Sequence, residues 1–262
     1  MLLENPARTA LLVAAVIFGS SASYAVAFAG SFDKPLQKKV VNLGRSPYLS
    51  PNSPSRIQLF CAYNAEFMVK ELDNPGLKGT RWVTITPVAN KEDLPPCRLA
   101  HASTERFMAK EWWSFLGIKG SLLFLVAADG DGNGGMPFRI LDLKTGNKIF
   151  EDSAWWNDHL EFVTASDGTV SLKYLRVVGD DCSIPRDGAS CWSKFRKHYG
   201  LMQAAAPHCT GYRLEGDKQS VLGDEGDDIG TPSSIAYPVE VKLFPRPTII
   251  PVLGPLKCRS IP

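Results

Sequence analysis

Cysteines are the residues of this chain whose type and number point most directly to chemistry. An even number of cysteines in an exported protein favours disulfide bonds over catalytic thiols. Cys182 and Cys191 bracket a loop rich in turn-forming residues, which makes them the first candidate pair. A zinc site is the rival interpretation, but the sequence has no C-x-x-C and its cysteine spacings are irregular. The simplest of the many alternative pairings joins Cys61 to Cys97, Cys182 to Cys191 and Cys209 to Cys258.

An aspartate-rich loop in the middle of the chain is a candidate for metal binding. The sequence Asp129-x-Asp131-x-Asn133 followed by Gly134 matches the opening half of a calcium-binding loop, which offers oxygen ligands at alternate positions. The position where such a loop carries a bidentate carboxylate is occupied here by Ile140, so the full EF-hand pattern is broken. Two interpretations stay open: a partial calcium site completed by a remote carboxylate, and a glycine-rich hairpin loop with exposed polar side chains.

Tryptophans are the better indication of a ligand-binding surface. The sequence has six, including the tandem pairs Trp112-Trp113 and Trp155-Trp156. Adjacent side chains diverge by about 100° on a helix and face opposite sides of a strand, so we expect one ring of each pair to face away from the core. Exposed aromatic rings are suited to stacking on sugars or on protein partners. Trp113 and Trp156 are therefore the candidate ligand-binding residues, and the alternative is that all four rings are buried.

The sequence contains none of the common catalytic motifs. It has four histidines, but no H-E-x-x-H, no G-x-S-x-G and no phosphate-binding glycine loop. Tandem acids such as Asp180-Asp181 would supply a glycosidase pair only through a suitable three-dimensional arrangement. The sequence therefore favours a protein without enzymatic activity, with unknown catalytic residues and no cofactor indicated other than calcium.

The first residues have the organisation of an export signal. A short start containing Arg8 leads into the apolar run 10–19 and then into small residues. Small-x-small sites place the cleavage between Ala25 and Gly30, so a signal peptide is predicted over residues 1–29. The apolar run is shorter than the roughly 20 residues that span a bilayer. We therefore expect a periplasmic or extracellular protein that does not span the membrane after cleavage.

Charge and composition organise the rest of the chain. The net charge of +2 gives no reason to expect a nucleic-acid partner. Residues 30–55, rich in Pro, Ser, Asn and basic residues, predict an extended N-terminal arm. Residues 56–262 are predicted to form a single β-rich, disulfide-containing domain. Within it, residues 215–228 are strongly acidic, whereas residues 241–262 carry basic residues and no acid.

Apolar runs bounded by turn residues predict strands over much of this domain. β-branched and aromatic residues dominate these runs, as is typical of strands. The predicted strands are 57–63, 67–69, 81–88, 121–128, 138–143, 148–151, 160–164 and 169–178.

Two helices are predicted among these strands. The first runs from Ser103 to Leu116, because a serine can cap it and apolar residues recur at helical spacing. The second runs from Ser190 to Tyr199 and is followed by Gly200, a residue typical of the position after a helix.

A short internal echo suggests repeated sheets. The run FLVAADG at 124–130 recurs as FVTASDG at 162–168, and the segment FRILDLKTGNKIFED resembles the strand–turn–strand unit of β-propeller repeats. The sequence has no third copy. The predicted fold is mainly β with two short helices, in antiparallel meander sheets. These are propeller-like or a partial propeller, and the alternative is a β-sandwich-like α+β arrangement.

The functional expectation follows from these features together. An exported β scaffold with candidate exposed tryptophans is expected to be a binding or interaction module, with a protein or saccharide partner and an unknown ligand. One alternative is a cell-envelope hydrolase that acts on a polysaccharide or an ester. The other is a structural protein stabilised by calcium.

Overall fold

The fold was analysed in a computed structural model of the chain. It describes residues 28–30, 32–77, 79–90, 92–128, 130, 134–155, 160–164, 169–209 and 232–260. Most of the predicted signal peptide lies outside these residues, and so does the acidic segment 215–228.

The described residues form fifteen strands and one helix. In chain order they are β1 (Phe28–Gly30), β2 (Gln37–Arg45), β3 (Arg56–Tyr63), β4 (Phe67–Asp73), β5 (Thr80–Pro87), β6 (Arg106–Lys110), β7 (Trp113–Lys119), β8 (Leu122–Ala127), β9 (Gly135–Asp142), β10 (Lys148–Trp155), β11 (Glu161–Thr164), β12 (Val170–Asp180), α1 (Ile184–Tyr199), β13 (Ser233–Lys242), β14 (Thr248–Pro251) and β15 (Lys257–Ser260).

The smaller of the two sheets is a five-stranded antiparallel meander in the order β2-β3-β4-β5-β6. Its register places Lys39, Cys61, Lys70 and Thr84 side by side across four strands. Side chains alternate between the two faces of a sheet, so this row lies on one face and Glu71 on the other. We call the face with Cys61 and Lys70 the outer face, and the face with Glu71 the inner face.

The larger sheet has ten strands. Seven follow the order β1-β11-β12-β10-β9-β8-β7, and β13 pairs with the long strand β12 as well as with β14 and β15. The antiparallel register of β12 and β13 runs from Ser171 opposite Lys242 to Asp180 opposite Ser233. This pairing returns the chain to the centre of the sheet after helix α1.

Two large apolar cores hold the sheets and the helix together, and a smaller one, with Leu59, Cys61, Tyr63 and Met68, lies on the outer face of the small sheet. The inner face of the small sheet packs on one side of the larger sheet, so the two form a sandwich. This core contains Val69, Val83, Ile85, Ala109, Ile118, Leu123, Leu125, Leu141 and Leu143. The opposite side of the larger sheet packs on helix α1 and forms the second core, where Phe124, Phe195 and Ile235 are fully buried.

Helix α1 begins and ends with recognisable caps. The Ser183 side chain accepts a hydrogen bond from the backbone N–H of Arg186, and the helix ends at Gly200, whose φ of 68° is left-handed. Trp192 and Phe195 are its buried aromatic residues. The helix predicted at 190–199 is confirmed, and α1 also includes a short turn from Ile184 that is separated from it by a kink at Gly188, where φ is 53° and ψ is −125°.

The prediction of a helix from Ser103 to Leu116 is wrong. That stretch contains strands β6 and β7, which pair with β5 and β8 respectively. Between them Glu111 and Trp112 have φ values of 31° and 69°, and this corner carries the chain from one sheet into the other. Pairing with neighbouring strands supplies the backbone hydrogen bonds that a helix would have made, so tertiary structure overrides the local apolar spacing.

The mainly β, antiparallel fold is confirmed, and two sheets packed through a shared core correspond to the sandwich-like arrangement. The two echo runs begin in one sheet, on β8 and β11, where the rings of Phe124 and Phe162 meet edge to face at 5.1 Å. Strand β2 falls within the segment predicted as an extended arm and pairs with β3. No helix in the described ranges has the length and apolar composition needed to cross a bilayer.

Three disulfides close loops of different length. They join Cys61 to Cys97, Cys182 to Cys191 and Cys209 to Cys258, which is the simplest pairing expected from the sequence. The Cα atoms of these pairs are 6.0, 5.7 and 4.4 Å apart, within the range for disulfides.

Candidate ligand-binding site

The structure separates the two members of the first tandem tryptophan pair. Trp113, the predicted ligand-binding residue, is half-buried at the start of β7, with the guanidinium carbon of Arg139 4.2 Å from its ring centre. Trp112, its neighbour at the corner, is the exposed member at 51 %. Gly79 lies against this corner, and a Cβ there would come within 2.8 Å of the Trp112 Cα.

The remaining predicted site residues lie outside the described part of the chain. They are Trp156, Asp129, Asp131 and Asn133. Their proposed roles in ligand and calcium binding stay predictions. Within the described ranges, no group of three or more His, Cys, Asp or Glu side chains is arranged to hold a metal ion.

An irregular segment, residues 92–105, covers the outer face of the small sheet; we call it the cover segment. Its first fastening is the disulfide from Cys97 to Cys61 on β3. Close by, the Tyr63 hydroxyl donates a hydrogen bond of 2.8 Å to the carbonyl of Pro95. Both contacts attach the cover segment to β3, so its first half is fixed to the sheet by a covalent bond and a buried tyrosine.

Lys70 supplies the second fastening. This residue of β4 is 1 % exposed, and its Nζ donates to the carbonyls of Arg98 and Ala100, each at 3.1 Å. Nζ also lies 2.8 Å from Oε2 of Glu105. The three acceptors match the three hydrogens of the ammonium group. A buried charge is tolerated only when it is paired and hydrogen-bonded in this way.

Glu105 is the counterpart of Lys70 at the end of the cover segment. Besides Lys70, its carboxylate accepts hydrogen bonds from the Thr84 hydroxyl, the backbone N–H of Ala102 and Nδ1 of His101. Burial by itself would raise the pKa of Glu105. The hydrogen bonds from Lys70, Thr84 and His101 outweigh that effect and hold the pKa below its ordinary value.

This polar network places His101 between two aromatic rings. The imidazole is fixed through Nδ1 by Glu105 at 2.8 Å, and its ring centre lies 4.9 Å from both Trp82 on β5 and Phe107 on β6. The Trp82 and Phe107 rings are 6.5 Å apart. We call Trp82, His101 and Phe107 the aromatic cluster.

The aromatic cluster is open to solvent and flanked by positive charge. Phe107 is 51 % exposed, the side chain of His101 is 41 % exposed, and Trp82 is half-buried. The exposed Lys110 lies 5.8 Å from the Phe107 ring centre, whereas Lys70, 5.4 Å from that of Trp82, is buried and paired with Glu105. Such a surface offers apolar ring faces for stacking and polar groups at their rim for hydrogen bonds.

A second acid, the half-buried Glu71, lies on the inner face of the small sheet. Its Oε1 accepts a hydrogen bond of 3.1 Å from the backbone N–H of Phe115. Burial raises the pKa of Glu71 to about 7, the hydrogen bond opposes this increase, and the charge of Asp73 adds to it. Glu71 is thus close to half-protonated at neutral pH.

Sequence reasoning named none of the three residues in the aromatic cluster. Trp82 lay in a correctly predicted strand but was not singled out, and Phe107 lay inside the helix that does not exist. One available signal was Lys70, which sits in the run FMVKEL between apolar residues at alternate positions. A lysine on the same strand face as apolar residues is buried, so it needs buried hydrogen-bond acceptors for its ammonium group. In this protein the cover segment supplies those acceptors.

No protein-family model, curated protein or solved structure matches this chain.

Proposed function

We propose that this chain is an exported binding module whose ligand stacks on the aromatic cluster. Three disulfides suit an oxidising compartment outside the cytoplasm, as does the export signal predicted for the first residues. The ligand class that best fits the cluster is an oligosaccharide. The apolar faces of its sugar rings stack on aromatic side chains, while its hydroxyls hydrogen-bond to the polar rim.

The observation that carries this proposal is the preorganisation of the three rings. His101 is fixed by Glu105, and Glu105 is fixed by Lys70 and Thr84 of the small sheet, to which a disulfide fastens the cover segment. A surface that is already ordered loses little conformational entropy on binding. The Phe107 ring is half-exposed and adds little to core packing. Contact with a ligand would account for an exposed aromatic ring at this position.

The test is a titration of the full chain with soluble hexasaccharides. Calorimetry with hexamers of β-1,4-glucose, β-1,3-glucose and N-acetylglucosamine should identify a ligand, and Phe107→Ala should weaken its binding at least tenfold. Phe244→Ala is the matched control, because Phe244 is also 51 % exposed and lies in the connection between β13 and β14. Equal binding by the two variants, or no binding of any hexamer, would overturn the proposal.

The two alternatives from the sequence remain without a supporting contact. A hydrolase needs a nucleophile or a second carboxylate at the His101–Glu105 pair. Among the described residues, no serine, threonine or cysteine side chain hydrogen-bonds to His101. A calcium-stabilised structural protein rests on Asp129, Asp131 and Asn133. A chelator titration that lowers the melting temperature, and fails to do so in Asp131→Ala, would establish it.

A further inference from the structure

Strand β2 forms the edge of the small sheet opposite β6, and most of its residues are exposed to solvent. Among the residues that the structure describes, it pairs with β3 on one side and has no strand beside it on the other. Eight of its nine residues are exposed, and the ninth, Val41, is half-buried. Both faces and the outer backbone edge of β2 are therefore accessible along the strand.

The accessible part of β2 is regular. Residues 37–42 pair in unbroken register with residues 63–58 of β3, and the irregularity comes only after Asn42. There Gly44 has a φ of 102°, and its N–H bonds to the Asn42 side chain at 2.9 Å. Six consecutive residues thus present a straight edge with backbone donors and acceptors that can accept a further strand.

Charge determines what kind of strand this edge can accept. The stretch from 34 to 56 contains five basic residues and no acid: Lys34, Lys38, Lys39, Arg45 and Arg56. In an antiparallel pairing of residues 37–42 with a second copy of β2, Lys38 would lie opposite Val41 and Lys39 opposite Val40, so neither lysine would gain an opposite charge. A strand with carboxylates would be attracted instead, because opposite charges stabilise cross-strand pairs.

The order of side chains adds a further requirement. Lys38 and Lys39 point to opposite faces, and Val40 and Val41 follow them on the same two faces. The ammonium group of Lys39 lies 5.5 Å from the Tyr63 ring centre, so its position is partly fixed by the sheet. Val40 is 58 % exposed, as is Leu36 just before the strand. A complementary strand has two adjacent acids followed or preceded by two β-branched residues.

We infer that residues 37–42 of β2 bind an extended acidic segment of another protein by strand addition. Backbone hydrogen bonds at the open edge supply the affinity. The carboxylates facing Lys38 and Lys39 set the register, and the apolar residues cover Val40 and Val41. This surface lies at the β2 edge of the small sheet, whereas the aromatic cluster lies toward the β6 edge, on β5, β6 and the cover segment, so the two proposals stand or fall separately.

The probe is the capped hexapeptide TVVEET, which carries this pattern for antiparallel pairing. In titrations followed by backbone NMR, it should shift the amide signals of residues 37–42, whereas TVVKKT should not. A TVVEET peptide methylated on the backbone nitrogens of its four central residues keeps its charge but cannot pair at either edge, and it should bind at least tenfold more weakly. Equal binding of the methylated peptide would overturn strand addition.

Variants of the chain complete the test. The double variant Lys38→Glu/Lys39→Glu should reverse the preference, binding TVVKKT and losing TVVEET. Its control is Lys194→Glu/Lys197→Glu, which makes the same change of charge at exposed positions of α1 and should keep the original preference. Thermal melts establish that each variant is folded. Failure of TVVEET to bind the unmodified chain, or an identical change in both double variants, would overturn the inference.

Discussion

Lys70 and Glu71 are neighbours in β4, yet the two faces of the small sheet accommodate their charges differently. On the outer face, Lys70 has an acceptor for each of its ammonium hydrogens and an ionised partner in Glu105. On the inner face, the described residues give Glu71 a hydrogen bond from one backbone N–H. The outer face keeps a buried charge by pairing it, whereas partial burial on the inner face raises the pKa of Glu71 to about 7. A polar network therefore adds to the disulfide and the apolar contacts that hold the cover segment, whereas apolar packing holds the sheets together.

The largest expected effect comes from breaking the outer pair. Lys70→Met leaves the Glu105 carboxylate buried without its main partner, so the free energy of unfolding should fall by about 3–5 kcal/mol. The double variant Lys70→Met/Glu105→Leu removes both charges and should recover most of this loss. Urea denaturation of the three proteins measures it. If the double variant is as unstable as the single one, the loss of stability comes from altered packing and not from an unpaired buried charge.

Removing the disulfide of the cover segment should lower the free energy of unfolding more than removing the disulfide beside α1. The Cys61–Cys97 bond closes a 36-residue separation and fastens the cover segment, whereas Cys182–Cys191 closes 9 residues beside α1. Loop-closure entropy predicts losses of about 4 and about 2.5 kcal/mol for the corresponding double serine variants. Chemical denaturation under non-reducing conditions gives both values. The reverse order would show that native-state contacts outweigh loop length.

The inner face should make stability depend on pH. The pKa of Glu71 is about 7 in the folded protein and near 4.5 when unfolded, so the native state binds more protons between these values. Stability should therefore fall as pH rises from about 4.5 to 7, by about 2–3 kcal/mol from this residue. The difference between the wild-type and Glu71→Gln curves isolates it. Parallel curves would contradict a raised pKa for Glu71.

The smallest effect compares two threonines of β5 that share the outer face. The Thr84 hydroxyl donates to Glu105, whereas the buried Thr86 hydroxyl has no hydrogen-bond partner in the described structure. Thr84→Val should cost about 1.5–3 kcal/mol, because it removes a hydrogen bond to a charged group. Thr86→Val should be neutral or stabilising. Equal losses in thermal melts would mean that the network does not depend on Thr84.

Strand content was largely predictable from the sequence because it depends on local composition. The runs IQLFCAY and SLLFLVAA combine β-branched or aromatic residues with turn residues at their ends, and both form strands. The prediction of a helix from Ser103 to Leu116 was wrong for a physical reason. Met108 and Phe115 each pack against the core between the sheets from two separate strands, and their spacing matches a helix only by coincidence.

The candidate site was not predictable, because its contacts join residues far apart in the chain. Lys70 and Glu105 are 35 residues apart, and their meeting depends on the strand register and on the path of the cover segment. Trp82, His101 and Phe107 come from two strands and an irregular segment. A sequence pattern indicates on which face of a strand a side chain lies, but not which distant residue packs against it.

The strand order also bears on the sequence of events during folding. All pairings of the small sheet join strands that are consecutive in the chain. Strand β12, in contrast, pairs with β13, which begins only at Ser233, after helix α1. Local pairings form sooner than distant ones, because they close shorter loops. The small sheet should thus acquire hydrogen-exchange protection before β12 and β13 in pulse-labelling experiments. During that interval the side of the larger sheet that carries Phe124, Phe138 and Ile140 lacks the cover that β12 and β13 complete, and this is the stage at which the chain is most prone to aggregate.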